Sequence, residues 1–268
     1  MKILITGSSG FVGTYLTKKL SRNHQIVRYD LVRGEDILDH KLLEKKLKGV
    51  DLVIHLAAFI SAQESWTKPM KYLKNNSLGT MSVVKCSIRS GVKRLIFFSS
   101  AAVKAKPLTP YAISKISAEE VVKLYANKIN SIIVRPENIY GLGQKANYGY
   151  VIHNFIKSVK SGKAINIYGT GKQSRDFIYI DDVVLTIESL LKKNVPSGSI
   201  INLGTGKETR IIDLAKLVMR ILKKTVDISF LEKRDEPSIS VADCHSLLNL
   251  KIDYKKFKDL SRGITKLI

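Results

Sequence analysis

A chain of 268 residues, 44% of them hydrophobic, can bury one substantial core, as a single domain or a domain with an added lobe. No run approaches the ~20 apolar residues that a membrane helix needs, so a membrane span is excluded. The net charge of +22 comes from lysines scattered along the whole chain, with no dense basic tail; it reads as solvated helix faces and names no partner.

Along the chain, apolar strand-like runs alternate with helical segments. Lys2–Thr6 is followed by a helix over Phe11–Arg22, and Gln25–Asp30 by a helix over Leu38–Leu47. Leu52–His55 precedes a helix spanning Tyr72–Ser90, and Arg94–Phe98 leads to a helix that starts near Tyr111. Ser131–Arg135 is a further strand. The early strands are almost wholly apolar, as parallel strands buried on both faces are. The alternation predicts an α/β fold with a doubly wound parallel sheet.

After Gly141 the rhythm loosens. Tyr148–Ser161 reads as helix, Ala164–Tyr168 as strand and Gly169-Thr170-Gly171 as a turn. Ile200–Leu203 is a buried strand ending in Gly204-Thr205-Gly206, and Ile211–Leu222 is helical. The expected division is a dinucleotide-binding domain over 1–142 and 174–204, with a small substrate-binding lobe over 143–173 and 205–268. Cys86 and Cys244 are far apart and share no metal-ligand spacing with the five histidines. Together with an amino terminus too short for a signal-peptide core, this points to a cytoplasmic setting and to two buried, apolar thiols.

The chemistry-bearing residues form an ordered series. Gly7, Gly10 and Gly13 lie between the first strand and the first helix. Missing side chains let the backbone turn tightly and let a pyrophosphate reach the helix amino terminus at Phe11, Val12 and Gly13. Asp30 closes the second strand, where a carboxylate can bind an adenosine ribose 2′-hydroxyl and repel a 2′-phosphate. That favours NAD. Arg28 and Arg33 stand close enough to pair with such a phosphate, so NADP is not excluded.

Tyr111-x-x-x-Lys115 is a weak pattern alone, since Tyr15/Lys19, Tyr168/Lys172 and Tyr254/Lys258 also match it. Its context sets it apart. It opens a helix soon after a strand that brings Ser100 to the carboxyl edge of the sheet, where ligands of such sheets bind. Residues four apart share a helix face. A phenol with a pKa near ~10 becomes a usable base beside an ammonium and a pyridinium. Ser100 would hold a substrate oxygen while Tyr111 takes its proton and the carbon gives hydride to a nicotinamide. No metal is implied.

These segments resemble an extended short-chain dehydrogenase/reductase of the NAD-dependent nucleotide-sugar epimerase/dehydratase family, of the UDP-glucose 4-epimerase kind. Matching stretches run nearly end to end: Thr6–Gly13, Val53–Ala58, Asn76–Thr80, Phe98–Val103, Tyr111–Lys115, Arg135–Gly141, Arg175–Tyr179 and Asn202–Gly206. The resemblance implies Asp36 and Ile37 at the adenine, Leu56, Ala57 and Ala58 at the cofactor phosphates, and Asn76 and Ser99 at the cofactor, Asn76 beside the active site. It puts Ser100, Tyr111 and Lys115 at the catalytic positions and Pro136 near the nicotinamide. Asn138, Arg175 and Arg234 match positions that grip a nucleotide sugar's diphosphate, a task suited to the arginine fork. His55 matches too, but a packed strand-end histidine is the better reading.

Departures from the family pattern narrow the chemistry. Ala101 and Ala102 stand where 4,6-dehydratases carry an Asp-Glu pair, and no cysteine marks a 3,5-epimerase. Tyr111 follows Ser100 by only 11 residues, through Lys104-Ala105-Lys106-Pro107, so one wall of the sugar pocket is reduced. The expected activity is a nucleotide-sugar epimerase working through a 4-keto intermediate. An NAD(P)H-dependent reductase of a 4-keto-6-deoxy sugar nucleotide is the alternative. A non-catalytic dinucleotide- or RNA-binding protein ranks third, because it has no use for all three catalytic residues and no aromatic-basic cluster accompanies them. The helices over Tyr72–Ser90 and Pro110–Lys128 resemble those that pair subunits in this family, so a homodimer is expected.

Overall fold

The structure is a computed structural model that describes residues 1–144 and 150–268. In chain order its elements are β1 (Lys2–Thr6), α1 (Phe11–Leu20), β2 (Gln25–Tyr29), α2 (His40–Leu47), β3 (Leu52–His55), α3 (Ala62–Thr67), α4 (Pro69–Tyr72), a π turn (Leu73–Leu78) and α5 (Gly79–Arg89). There follow β4 (Arg94–Phe98), α6 (Pro110–Leu124), β5 (Asn130–Pro136), β6 (Asn138–Tyr140), α7 (Val151–Ser161), β7 (Ile165–Tyr168), β8 (Ser174–Arg175), β9 (Phe177–Tyr179) and α8 (Ile180–Leu191). The chain ends with β10 (Ser199–Leu203), β11 (Thr209–Arg210), α9 (Ile211–Leu222), β12 (Ile228–Leu231), β13 (Ile239–Ser240), α10 (His245–Asn249) and α11 (Leu260–Thr265).

Two compact units result. The first comprises Met1–Lys104, Leu108–Pro136 and Val184–Ile201; the second comprises Ala105–Pro107, Glu137–Val183 and Asn202–Ile268. Residues 174–183, grouped by sequence with the dinucleotide-binding part, cluster with the second unit. Their strands explain it: β8 pairs with β11 and β13, and β9 pairs with β6.

A six-stranded sheet in the order β10-β5-β4-β3-β1-β2 organises the first unit. β2 and β3 both pair with β1 in parallel, on opposite sides, and β4 and β5 continue the parallel run beyond β3. The direction of winding therefore reverses at β1 and β3, and the carboxyl ends of these two strands form the crevice where α/β sheets bind ligands. Every residue of β3 is buried, as a central strand covered on both faces must be. One helical layer sets Leu43, Leu47, Val83, Val84, Ala118 and Val122 against Leu4, Val53 and Leu95.

The helix expected over Tyr72–Ser90 is present, with a π turn inside it. α4 passes into the π turn, and α5 follows without a break. The wider turn brings Asn76 and Ser77 inside. It also seats Gly79 so tightly that a Cβ there would lie 2.4 Å from Ile37 Cδ1. The helix expected from Tyr148 begins at Val151; Tyr148 lies outside the described residues. α8 carries no turn signal in front of it, because β9 runs directly into Ile180. Among the described residues, no helix is long and apolar enough to cross a membrane.

Candidate active site

Gly7 ends β1 at φ +69°, and a Cβ there would lie 2.8 Å from the backbone nitrogen of Ala57. A Cβ on Gly13 would fall 2.1 Å from the Gly7 carbonyl oxygen, so α1 rests directly on the turn. Among the described residues no side chain caps α1 at Gly10, and the N–H groups of a helix's first turn, here Phe11, Val12 and Gly13, have no partner within the helix. Asp30 ties the neighbouring strand end to this turn: Oδ2 accepts the Ser9 N–H (2.8 Å) and Oδ1 accepts the Val32 N–H (3.0 Å).

Asp36 and Ile37 follow on the same side of the sheet. The Tyr29 hydroxyl donates to the Asp36 carbonyl (2.6 Å), and Asp36 Oδ1 accepts the Leu38 N–H (2.9 Å). The Ile37 side chain is buried under Gly79, so only its backbone remains to meet an adenine.

At the end of β3, Thr6 Oγ1 accepts the N–H groups of Leu56 and Ala57, each at 3.2 Å. Its hydroxyl also bonds His55 Nδ1 (2.7 Å), and His55 Nε2 meets Thr80 Oγ1 (3.0 Å). Thr80 donates its own proton to the Asn76 carbonyl (2.6 Å), so its oxygen is left to accept from Nε2–H. Burial, then the charge of Lys115, hold His55 down to about 3. It is a neutral, packed link between the Leu56–Ala57 backbone and the π turn.

Asn76 is used within the chain. Its Oδ1 accepts the Phe59 N–H, and its Nδ2 donates to the Phe59 carbonyl and to Ser114 Oγ, at 2.9, 2.9 and 3.0 Å. The amide thus clamps the segment that follows Ala57 and Ala58. Ser114 Oγ donates in turn to the Tyr111 carbonyl (2.7 Å), tying the first turn of α6 to the clamp.

α6 starts crisply, with Thr109 accepting the Ala112 N–H and Pro110 in the first turn. Tyr111 is therefore in that first turn, nearly buried, with its ring edge-on to Tyr72 at 6.3 Å between centroids. One helical turn later, Lys115 is 3% exposed, donates to the Phe98 carbonyl at 2.6 Å and lies 4.6 Å from the centre of the Phe97 ring. Ser100 Oγ accepts the Ala102 N–H (3.1 Å), which leaves the hydroxyl proton to donate elsewhere. Ser99, expected at the cofactor, turns its hydroxyl onto the buried carboxylate of Glu119. Pro136 closes β5, half-buried.

In the second unit, Asn138 donates its backbone N–H and its Nδ2 to the Asp176 carbonyl (3.2 and 3.0 Å). The Arg175 fork is engaged by Glu236 Oε2 (2.6 Å) and by the Ser174 and Pro237 carbonyls. The Arg234 guanidinium stacks on the Tyr168 ring at 3.3 Å. Sequence reasoning gave Asp176 no role of its own. Fully buried, it accepts from the Thr205 N–H and hydroxyl, the Gly206 N–H and the Ala242 N–H, and so fixes the Gly204-Thr205-Gly206 turn. Its place inside Arg175-Asp176-Phe177 was the available signal.

The sequence profile described as "NAD dependent epimerase/dehydratase family" matches residues 3–204. The chain belongs to this family. It is 31% identical over 272 residues to the dTDP-D-glucose 4,6-dehydratase of Dictyostelium discoideum, an alignment that takes in 82% of this chain and 62% of that protein's length. The UDP-glucuronic acid 4-epimerase of Bacillus cereus, solved with UDP-glucuronic acid and NAD, superposes at a TM-score of 0.90 with 28% identity, covering 100% of this chain and 98% of the other. The UDP-N-acetylglucosamine 4-epimerase of Methanobrevibacter ruminantium M1, solved with UDP-N-acetylmuramic acid, also gives 0.90, with 27% identity over 99% and 96%.

NAD is the cofactor of this epimerase/dehydratase family, and the residues present here fit it. The uncapped first turn of α1 offers N–H donors to a pyrophosphate, and the glycines leave no Cβ to obstruct it. Each Asp30 oxygen accepts one backbone N–H and keeps a lone pair for a ribose hydroxyl.

Burial pushes the Lys115 ammonium down to about 7, against a smaller upward pull from Glu119. An unfolded lysine titrates near ~10.4. Between these values the unfolded chain binds one more proton than the native one, so this group adds stability as pH rises, by up to ~1.36 kcal/mol per pH unit. Protein stripped of cofactor should therefore gain stability over Lys115→Met between about pH 7 and 9. Denaturant midpoints measured across that range check this, and parallel pH profiles for the two proteins would contradict it.

Proposed function

We propose that the protein is a nucleotide-sugar 4-epimerase. The sugar's C4 carbinol loses a hydride and a proton to give a 4-keto sugar, which turns over and regains the hydride on its other face. Bound NAD supplies the reversible hydride acceptor. Tyr111 takes the C4 hydroxyl proton as general base and later returns it. Lys115, one turn away, lowers the phenol's pKa while it carries its proton. Ser100 donates its free hydroxyl proton to the same substrate oxygen and holds it in line. Asn138, Arg175 and Arg234 are proposed to bind the nucleotide diphosphate; Arg175 would then exchange Glu236 for phosphate oxygens.

The observation that carries this reading is the buried Lys115 ammonium, bonded to the strand end that leads into Ser100 and one turn from Tyr111. Ala101 and Ala102, in the turn after Ser100, offer no acid or base for eliminating water, which argues against dehydration. The short connection from Ser100 to Tyr111 favours a second reading, reduction of a 4-keto-6-deoxy sugar nucleotide. Mass analysis of nucleotides released on denaturing the purified protein separates the two. Stoichiometric retained NAD is expected; an empty protein that consumes NADPH with a keto-sugar nucleotide would select the reductase. A homodimer belongs to the same proposal, since α6 leaves Ile113 and Leu124 exposed. A monomeric mass at micromolar concentration would contradict it.

A further inference from the structure

Asp30 stands among cations. Arg28 reaches Ser9 Oγ of the glycine turn at 3.4 Å, and Arg33 lies three residues beyond Asp30, donating its backbone N–H to the Asp30 carbonyl (2.9 Å). By sequence, these arginines could serve a 2′-phosphate. The structure engages Arg33 elsewhere. Its Nε lies 3.4 Å from Glu35 Oε2, while Lys46 Nζ lies 2.7 Å from Glu35 Oε1. Glu35 is 7% exposed, and its Oε2 also accepts the Asp30 N–H (3.1 Å). Burial alone would raise its carboxyl; the Lys46 and Asp30 hydrogen bonds and the charges of Lys46 and Arg33 outweigh that and hold it below the ordinary range.

We propose that Glu35 is a specificity-determining residue: by holding Arg33 and Lys46 it withholds the cations a 2′-phosphate would need, and so selects NAD over NADP. The pyrophosphate is common to both cofactors, so the glycine turn cannot tell them apart. Discrimination must come from the adenosine ribose. There a 2′-phosphate adds close to two negative charges beside Asp30, and a guanidinium fork is the group suited to offset them. With Glu35 ionised, the Arg33 guanidinium is paired through its Nε and a second carboxylate adds to the repulsion. A ribose hydroxyl, being neutral, meets no such penalty and can donate to Asp30.

The test needs no sugar substrate. Dissociation constants for NAD+ and NADP+ are measured by titration calorimetry on wild type, Glu35→Gln, Arg33→Ala and the double variant, each stripped of retained nucleotide and checked for folding by thermal melt. Glutamine keeps an oxygen for the Asp30 N–H but releases both cations. Glu35→Gln should improve NADP+ binding relative to NAD+ by about five- to tenfold, the size expected from one unit charge removed ~8 Å away in a partly solvated site. Adding Arg33→Ala should reverse most of that gain. In the wild-type background, Arg33→Ala should leave NADP+ affinity within about twofold, because the Arg33 charge is already paired with Glu35. An unchanged NADP+/NAD+ ratio in folded Glu35→Gln would overturn the proposal. So would a wild type that prefers NADP+, or a loss above about fivefold in NADP+ affinity for Arg33→Ala alone, which stays measurable even if Glu35→Gln does not fold.

Discussion

Replacing Tyr111 by phenylalanine is expected to lower turnover of the sugar nucleotide by about 10²–10⁴-fold, the range of a positioned general base. Cofactor affinity should stay within about twofold, because the ring that packs against Tyr72 is kept and only the hydroxyl is lost. The loss should fall on kcat rather than on KM. Lys115→Met should also lower kcat by acting through the phenol, and the double variant should be little worse than Tyr111→Phe alone. Steady-state kinetics with calorimetric cofactor binding measures all of this. A Tyr111→Phe enzyme with more than a tenth of wild-type kcat would remove the phenol from the mechanism.

The second large effect is expected at Glu119, which touches no ligand in this account. Its carboxylate is 2% exposed, receives the Arg135 fork through Nε (2.8 Å) and Nη2, and accepts the Ser99 hydroxyl. The Arg135 side chain is itself only 15% exposed. Glu119→Ala would strand a largely buried guanidinium and unpair a buried hydroxyl. The expected loss is about 3–5 kcal/mol, the cost of breaking a buried pair by removing one partner. At roughly 2–4 °C per kcal/mol for a chain of this size, the melting temperature should fall by roughly 6–20 °C. Glu119→Leu combined with Arg135→Met should recover part of it, because apolar residues of similar volume leave no charge unpaired. A melt of Glu119→Ala within about 2 °C of wild type would contradict the assignment.

Glu119 also marks where sequence reading stops. The glycine turn, the place of Asp30, and the spacing of Tyr111 and Lys115 on one helix were legible because each is a local pattern: a spacing, a strand end, one turn of helix. The central sheet was legible because β1, β3 and β4 are apolar runs of strand length. Glu119, by contrast, takes its meaning from Ser99, 20 residues before it, and Arg135, 16 after it. Asp176 takes its meaning from Thr205 and Ala242. Such buried ionic contacts have no period. The π turn was hidden for a related reason, since one residue of extra winding leaves the apolar pattern of Tyr72–Ser90 nearly unchanged. What shows it is that Asn76 and Ser77 lie inside. Ser99 and Ser100 adjoin in sequence, yet one hydroxyl meets the core carboxylate and the other accepts the Ala102 N–H; only the strand's exit geometry separates them.

The most direct measurement of the central claim follows a deuterium label at C4 of a nucleotide sugar, with the enzyme carrying only the cofactor it retains. Interconversion of the two C4 epimers is expected with the label retained at C4 and none appearing in water or in added cofactor, and Tyr111→Phe should slow it by about 10²–10⁴-fold. Label washed out to solvent, or passed stoichiometrically to added cofactor, would contradict a hydride removed from and returned to the same carbon within one site.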